Sequence, residues 1–430
     1  MSKPRLSNAA RVLLALALGA IVGLLLSWSD PALGARAADL VQPIGRLWLN
    51  ALQMTVVPLV AALVVLGVNA ATDAAASGRT ARRAMTVFAV LLIASGTFTA
   101  FAAPGLLSLV PRDQALVDAF RLAIGADDTV IGRAPSFGEW STTVIPSNAL
   151  AAAAANAMLP LVVFSLFFGF AATRLEADRR ARLLELVQAI ADTMIVIVRW
   201  VLWAAPLGVF ALVLAVCARV GMAVLGALGW YVLLLCTLYI MVTVLLYGVA
   251  RLAANEPVRR FMVGIFPAQV IAASTQSSLA SLPAMIDCAR TRLGYPLHVT
   301  ALVLPMAVSL FRITSPIQYI GVVTFIAWMY GIELGGAQVA TAIVLSALIS
   351  MGSVGLPGQV SFMTNNLPVT QAMGLPVEPL GLLLAVDNIP DVFSTVGNVS
   401  ADLTATAIVN RLDGTPDVGV VSGTSTPASP

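Results

Sequence analysis

The segment Asp387–Val409, DNIPDVFSTVGNVSADLTATAIV, carries three carboxylates, two asparagines, three threonines and two serines. The chain around it is 59% hydrophobic and only 10% charged. On an α-helix, at about 100° per residue, Asp391, Ser394, Thr395, Asn398 and Asp402 follow Asp387 within an arc of about 100°. Ile389, Val392, Phe393, Val396, Val399 and Leu403 take the opposite side. A charge at the bilayer centre costs roughly 2.5–3.5 kcal/mol on insertion scales, so such a stripe faces a cavity, an ion or a partner. A single aspartate could sit at a membrane interface or bond a neighbouring helix. A whole polar flank reads as a binding surface.

The elements that must position this flank are membrane helices. The 430 residues have a mean hydropathy of +0.93, too apolar for a soluble surface. Many apolar runs approach or exceed the length that crosses a bilayer. The short alternating strands of a β-barrel are absent. Net charge is +3. With arginines flanking the apolar runs, that charge reads as topology and not as nucleic-acid binding. Cys217, Cys236 and Cys288 lack pairing or metal spacing and read as small core residues. His298 stands alone. No nucleophile–base pair, metal cluster or phosphate loop is evident, so the chain does not read as an enzyme. The first apolar run lacks a cleavage site and is too long for a signal-peptide core, so it counts as a span.

Six spans come first: Ala9–Leu26, about Gln42–Ala71, about Arg83–Val110, Ile145–Leu175, Leu186–Val220 and Met222–Leu252. The fourth opens IPSNALAAAAANAM and should be broken near its start. Pro206 should kink the fifth. A polar loop with Asp113, Asp118, Asp127, Asp128 and Glu139 follows span 3. Basic residues alternate: Lys3 and Arg5; Arg79, Arg82 and Arg83; Arg174, Arg179, Arg180 and Arg182; Arg251, Arg259 and Arg260. They put the N-terminus and these loops in the cytoplasm and the acidic loop outside. Arg199, inside span 5, reads as a snorkelling or inter-subunit residue.

PAQVIAASTQSSLASLPAMI, Pro267–Ile286, is polar in its middle and basic on both flanks, so it should enter and leave the cytoplasmic face as a re-entrant hairpin. Span 7 follows, about Thr300–Tyr330. A second interrupted segment, with Gly355, Pro357 and Gly358 near its centre, should enter from outside. Asp387–Val409 is then span 8, and the C-terminus is cytoplasmic. Residues 412–430, rich in Gly, Ser, Thr and Pro, read as a disordered tail. Irregular backbone at membrane depth must line a cavity or be buried. Two interrupted segments, one from each face, point to a transporter's binding site between inverted repeats.

These motifs also resemble the dicarboxylate/amino acid:cation symporters, the family of glutamate and aspartate transporters. The likeness covers about Ala9–Arg411. It is carried by MTVVPLVAALVVLG, IPSNALAAAAANAMLPLVVFSLFFGFA, APLGVFALV, STQSSLASLP, VGLPG and the span 8 stretch. It implies an all-α polytopic fold of eight transmembrane helices plus two re-entrant helical hairpins, built of inverted repeats. It implies a homotrimer in the inner membrane. A scaffold of about 9–75 and 142–220 would carry a transport part of about 80–112 and 222–411 that slides like an elevator. The second hairpin would be the outer gate. Asp391 matches the aspartate that binds the substrate amino group, Asn398 the asparagine that meets the α-carboxylate, and Thr395 a threonine beside the substrate. Ser277 and Ser278 fall in the carboxylate-binding tip of the first hairpin. Gly355 and Gly358 match the flexible second hairpin, and Asp402 a sodium-ligating aspartate.

Two departures qualify the likeness. Span 7 of the family carries Asn-Met-Asp-Gly-Thr; aligned on Pro305, this chain has Phe311, Arg312, Ile313, Thr314 and Ser315. Phe and Ile offer no side-chain oxygen to a hard cation. Sodium coupling is therefore expected to be altered to proton coupling, or lost. Asp387 and Asp402 are the proton-coupling candidates, and Asp402 with Asn398 the residual cation site. The span 8 arginine of acid-selective members is Ser394 here. Arg312 could replace it as a carboxylate receptor, or pair with an aspartate of span 8. Asp391 argues for a substrate with an amino group. The reading is a symporter of a small amino acid, acidic ones included. A dicarboxylate symporter using Arg312 and an uncoupled exchanger or channel on the same fold are the alternatives. No cofactor is expected beyond a coupling sodium ion or proton, and no partner beyond substrate, lipid and the other subunits.

Overall fold

The computed structural model describes residues 8–76, 78–110, 144–221, 223–352 and 358–414, and every regular element among them is helical. The loop from Asp113 to Glu139, Gly355 and residues 415–430 lie outside the described residues. Six stretches among those described are long and apolar enough to cross a membrane: Ala32–Ala76, Arg79–Leu107, Ala177–Trp203, Val224–Ala253, Leu297–Tyr330 and Asn388–Asp413.

α1 (Asn8–Ser29) turns sharply into α2 (Pro31–Ala76), where Asp30 Oδ1 accepts from the amide of Ala32. At 46 residues α2 is about 70 Å long, more than twice a bilayer core. α3 is Arg79–Leu107. The fourth expected span is broken. α4 (Ala149–Ala154), capped by Asn148, is followed by Asn156 at φ +53°, and α5 (Met158–Ala172) resumes. At the kink expected near Pro206 the helix is interrupted for one residue: α6 (Ala177–Trp203) stops before Ala204, and α7 (Ala205–Val220) starts with the proline in its first turn. α1 and α2 pack on α7, and α2 also on α5 and α6. Trp48 anchors this group. Its indole donates to Val201 O (3.0 Å), and its ring lies so close to Gly208 that a Cβ there would come within 2.3 Å.

The second group starts with α3 and continues with α8 (Ala223–Ala253). α9 (Val258–Thr275) and α10 (Ser278–Asp287) fold against each other. Gln276, left-handed at φ +50°, closes α9, and Ser277 caps α10 by accepting from Ala280 N. A π-helical turn, Cys288–Arg292, leads to α11 (Leu297–Leu310). Span 7 is interrupted: Phe311 is extended, and α12 (Thr314–Tyr330) restarts three residues on. α13 (Gly336–Gly352) and α14 (Gly358–Ala372) form the second hairpin.

The last span is one helix, as expected, and a short helix precedes it. α15 (Pro379–Val386) meets α16 (Asn388–Asp413) at Asp387. α16 is enclosed by α3, α8, α9 and α11, which is why Val399 and Leu403, opposite the polar flank, are fully buried while Ile389 and Phe393 are exposed near its start. Leu412 and Asp413, expected in the tail, are helical, and the Asp413 carboxylate accepts from Thr80 Oγ1 and pairs with Arg83.

Candidate functional site

α16 carries its polar residues inside the protein by bonding their hydroxyls to its own backbone. Thr395, Ser400, Thr404 and Thr406 each donate to the carbonyl four residues back, at 2.6–2.9 Å. Thr395 gives its proton to Asp391 O. Pro390 costs no helical bond, because first-turn amides have no partner within the helix.

The interruption in span 7 is tied to this flank. The Thr314 amide, one of the free donors at the start of α12, bonds Asn398 Oδ1 at 3.1 Å. Thr314 Oγ1 lies 2.8 Å from Ser394 Oγ. Ser350 on α13 donates to Arg312 O at 3.1 Å, joining the second hairpin to the same point. Gln276 of the first hairpin reaches Asn388 O at 3.5 Å. The interruption of span 7 and the second hairpin therefore converge on the middle of α16, while the tip of the first hairpin meets its start. Gly397 permits the close packing: a Cβ there would stand 2.8 Å from Thr314 Cγ2.

Three carboxylates of the flank have different surroundings. Asp387 is buried and held by Gln318 Nε2 at 3.1 and 3.2 Å and by Tyr231 OH at 3.3 Å. Asp391 is half-buried one turn away. Asp402 is fully buried, and among the described residues neither of its oxygens has a hydrogen-bond partner. A bare carboxylate in such a place costs several kcal/mol or more unless it is protonated or paired. Asn398 Oδ1 accepts from the Thr314 amide, while its Nδ2 has no partner among the described residues.

Arg312 is half-buried, within electrostatic reach of Asp391 and Asp402, and makes no ion pair among the described residues. The anticipated pairing with Asp387 or Asp402 is not formed; Gln318 and Tyr231 hold Asp387 instead. Phe311 and Ile313 lie in the apolar core, and Phe311 stacks on Phe88 at 4.7 Å and 6°.

The profile of the sodium:dicarboxylate symporter family matches residues 9–412. The chain belongs to that family. Among its relatives is the proton/glutamate-aspartate symporter of Escherichia coli K12, 28% identical over 96% of this chain and 94% of that protein. The proton/sodium-glutamate symport protein of Bacillus caldotenax is 27% identical over 95% of each. The neutral amino acid transporter B(0) of Oryctolagus cuniculus is 28% identical over 89% of this chain and 76% of that protein. This is a membrane transport family, and the six long apolar helices accord with a multi-pass membrane protein.

Within this symporter chain the expected residues fall unevenly. Thr314, Ser394, Asn398 and, through its backbone, Arg312 are brought together by direct bonds. Ser277 and Ser278 sit at the first hairpin tip, Ser277 as a cap. Gly358 opens α14; Gly355 is outside the described residues. Gln318, Tyr231 and Phe88 were missed. Gln318 follows Thr314 by one helical turn, a polar spacing that could have flagged it. Tyr231 and Phe88 gave no local signal, since both sit in apolar helices and acquire their partners through packing.

Proposed function

We propose that the chain is a cation-coupled secondary active symporter of small amino acids, acidic ones included. The observation that carries this is the convergence of α16, the α11–α12 interruption and the second hairpin around the Thr314–Asn398 bond, with the first hairpin meeting the same helix at Ser400 and Asn388. Asp391 supplies the anion for the substrate ammonium, and Asn398 and the Ser277–Ser278 tip take its α-carboxylate. Arg312, without an acid of its own among the described residues, is available to a side-chain carboxylate, which favours acidic substrates; the names of the relatives support glutamate, aspartate or neutral amino acids.

Coupling is altered from the family's sodium pattern. The apolar stack of Phe311 on Phe88 stands where span 7 of the family offers side-chain oxygens. Asp402, or Asp387, carries a proton or residual cation. α1, α2 and α4–α7 form the fixed part of a homotrimer in the inner membrane. α3 and α8–α16 move as an elevator, with both termini cytoplasmic.

The same availability of Arg312 favours one second reading, a dicarboxylate symporter. Uptake of labelled glutamate, alanine and succinate into proteoliposomes, with sodium or proton gradients imposed separately, tests both. Accumulation of an amino acid against its gradient, driven by an ion gradient, is expected. Downhill equilibration alone under every gradient would defeat the symporter reading, and accumulation of succinate alone would replace it with the second.

A further inference from the structure

The first turn of α3 is electrostatically unbalanced. The N-terminus of a helix favours negative charge, yet this one begins with Arg79, Arg82 and Arg83, has no acid in its first turn, and Gly78 offers no side-chain cap. Asp413 neutralises Arg83. Arg79 and Arg82 are exposed and make no ion pair among the described residues. The three arginines border a hollow of about 350 Å³ that extends to Thr86.

Thr86 also borders a second, larger hollow of about 640 Å³. Its walls are apolar and come from α2, α3, α5 and α13, with Val68, Val90, Phe170 and Leu348 among them. Along α3, Arg82, Thr86, Val90 and Ile93 follow at helical spacing on one exposed face. Cationic groups at one end of a stripe thus lead into an apolar slot within two turns. A free phosphate would satisfy the arginines and leave the slot bare; a neutral hydrocarbon would do the reverse.

We propose that the two hollows are one site for an anionic phospholipid, its phosphate on Arg79 and Arg82 and an acyl chain in the slot between α2, α3, α5 and α13. Charge and shape both match such a molecule: guanidinium groups suit phosphate, and the slot runs along the helix as a chain would. If α2 and α5 are fixed while α3 and α13 move, which rests on the function proposed above, the lipid touches both parts and its occupancy biases their relative position.

The test measures binding, and so does not depend on transport. The full chain is purified in detergent and its thermal midpoint is followed with phosphatidylglycerol, phosphatidylcholine or inorganic phosphate added, and native mass spectrometry records retained lipid. Phosphatidylglycerol should raise the midpoint and remain bound, while the other two do neither. The double variant Arg79→Gln, Arg82→Gln and the slot-filling Val90→Trp should each lose the shift with the unliganded midpoint little changed. An equal response to both lipids, a response to inorganic phosphate alone, or a full shift retained in the arginine variant would overturn the proposal. If Val90→Trp fails to fold, the arginine variant alone decides.

Discussion

The rings of Phe88 and Phe311 lie 4.7 Å apart and 6° from parallel, joining α3 to the interruption of span 7. Both are essentially inaccessible. The stack closes in hydrocarbon a place where a hard cation would need oxygen. Truncating either ring should cost about 3–5 kcal/mol, and Phe311→Ala should lower the thermal midpoint well below that of a conservative Phe311→Leu. Replacing sodium by choline should weaken amino-acid binding to the native chain far less than the loss of a fully liganded sodium site would. A sodium requirement as strong as that of a fully liganded site would refute the reading of an apolar plug.

Asp391 should govern substrate choice. With its neighbour Asp387 occupied by Gln318 and Tyr231, it is the uncommitted acid at the entrance of the flank. Asp391→Ala should weaken amino-acid binding by roughly tenfold to a hundredfold, the worth of a charged hydrogen bond. Calorimetric titration with glutamate and alanine measures this, and unaltered affinities would remove the reason for preferring an amino-bearing substrate.

Arg312 should separate acidic from neutral substrates. Its backbone carbonyl is fixed by Ser350, so Arg312→Ala should leave the local backbone in place. Acidic uptake should fall while neutral uptake persists. Loss of both together with loss of expression would instead assign the arginine to structure.

Gly397 is a test of the hub that needs no charge change. Gly397→Ala pushes a methyl against Thr314 Cγ2, and overpacking of this kind costs about 1–3 kcal/mol. The displaced Thr314 must also loosen its bonds to Asn398 and Ser394. Substrate affinity should therefore fall more than the midpoint does. A variant with native affinity would mean that these contacts do not shape the site.

Gln318→Leu or Tyr231→Phe leaves the buried Asp387 with fewer donors. Either should destabilise the protein by about 1–3 kcal/mol, and Asp387→Asn, which keeps a polar group of the same shape, should cost less than Gln318→Leu. Thermal midpoints of the three variants, compared in one detergent, rank them; the reverse order would contradict this account of the network.

The polar flank was legible because an α-helix repeats every 3.6 residues, so Asp387, Ser394, Thr395, Asn398 and Asp402 fall together on counting alone. The hairpin around Ser277 was legible from its basic flanks and polar middle. The break at Ala204 was only half legible. Proline announced a disturbance near 206, but whether the helix bends or stops depends on what α1 and α2 pack against.

The residues of this chain determined by themselves that it lives in a membrane, and that one helix carries a buried polar stripe, since hydropathy and helical period are local quantities. Which carboxylate is satisfied and which is bare was decided only when the helices packed. Gln318, Tyr231 and Phe88 come from other elements, and nothing in their own neighbourhoods says that they meet Asp387 or Phe311. Partnership across helices depends on distances between distant segments, and those distances exist only in the folded chain.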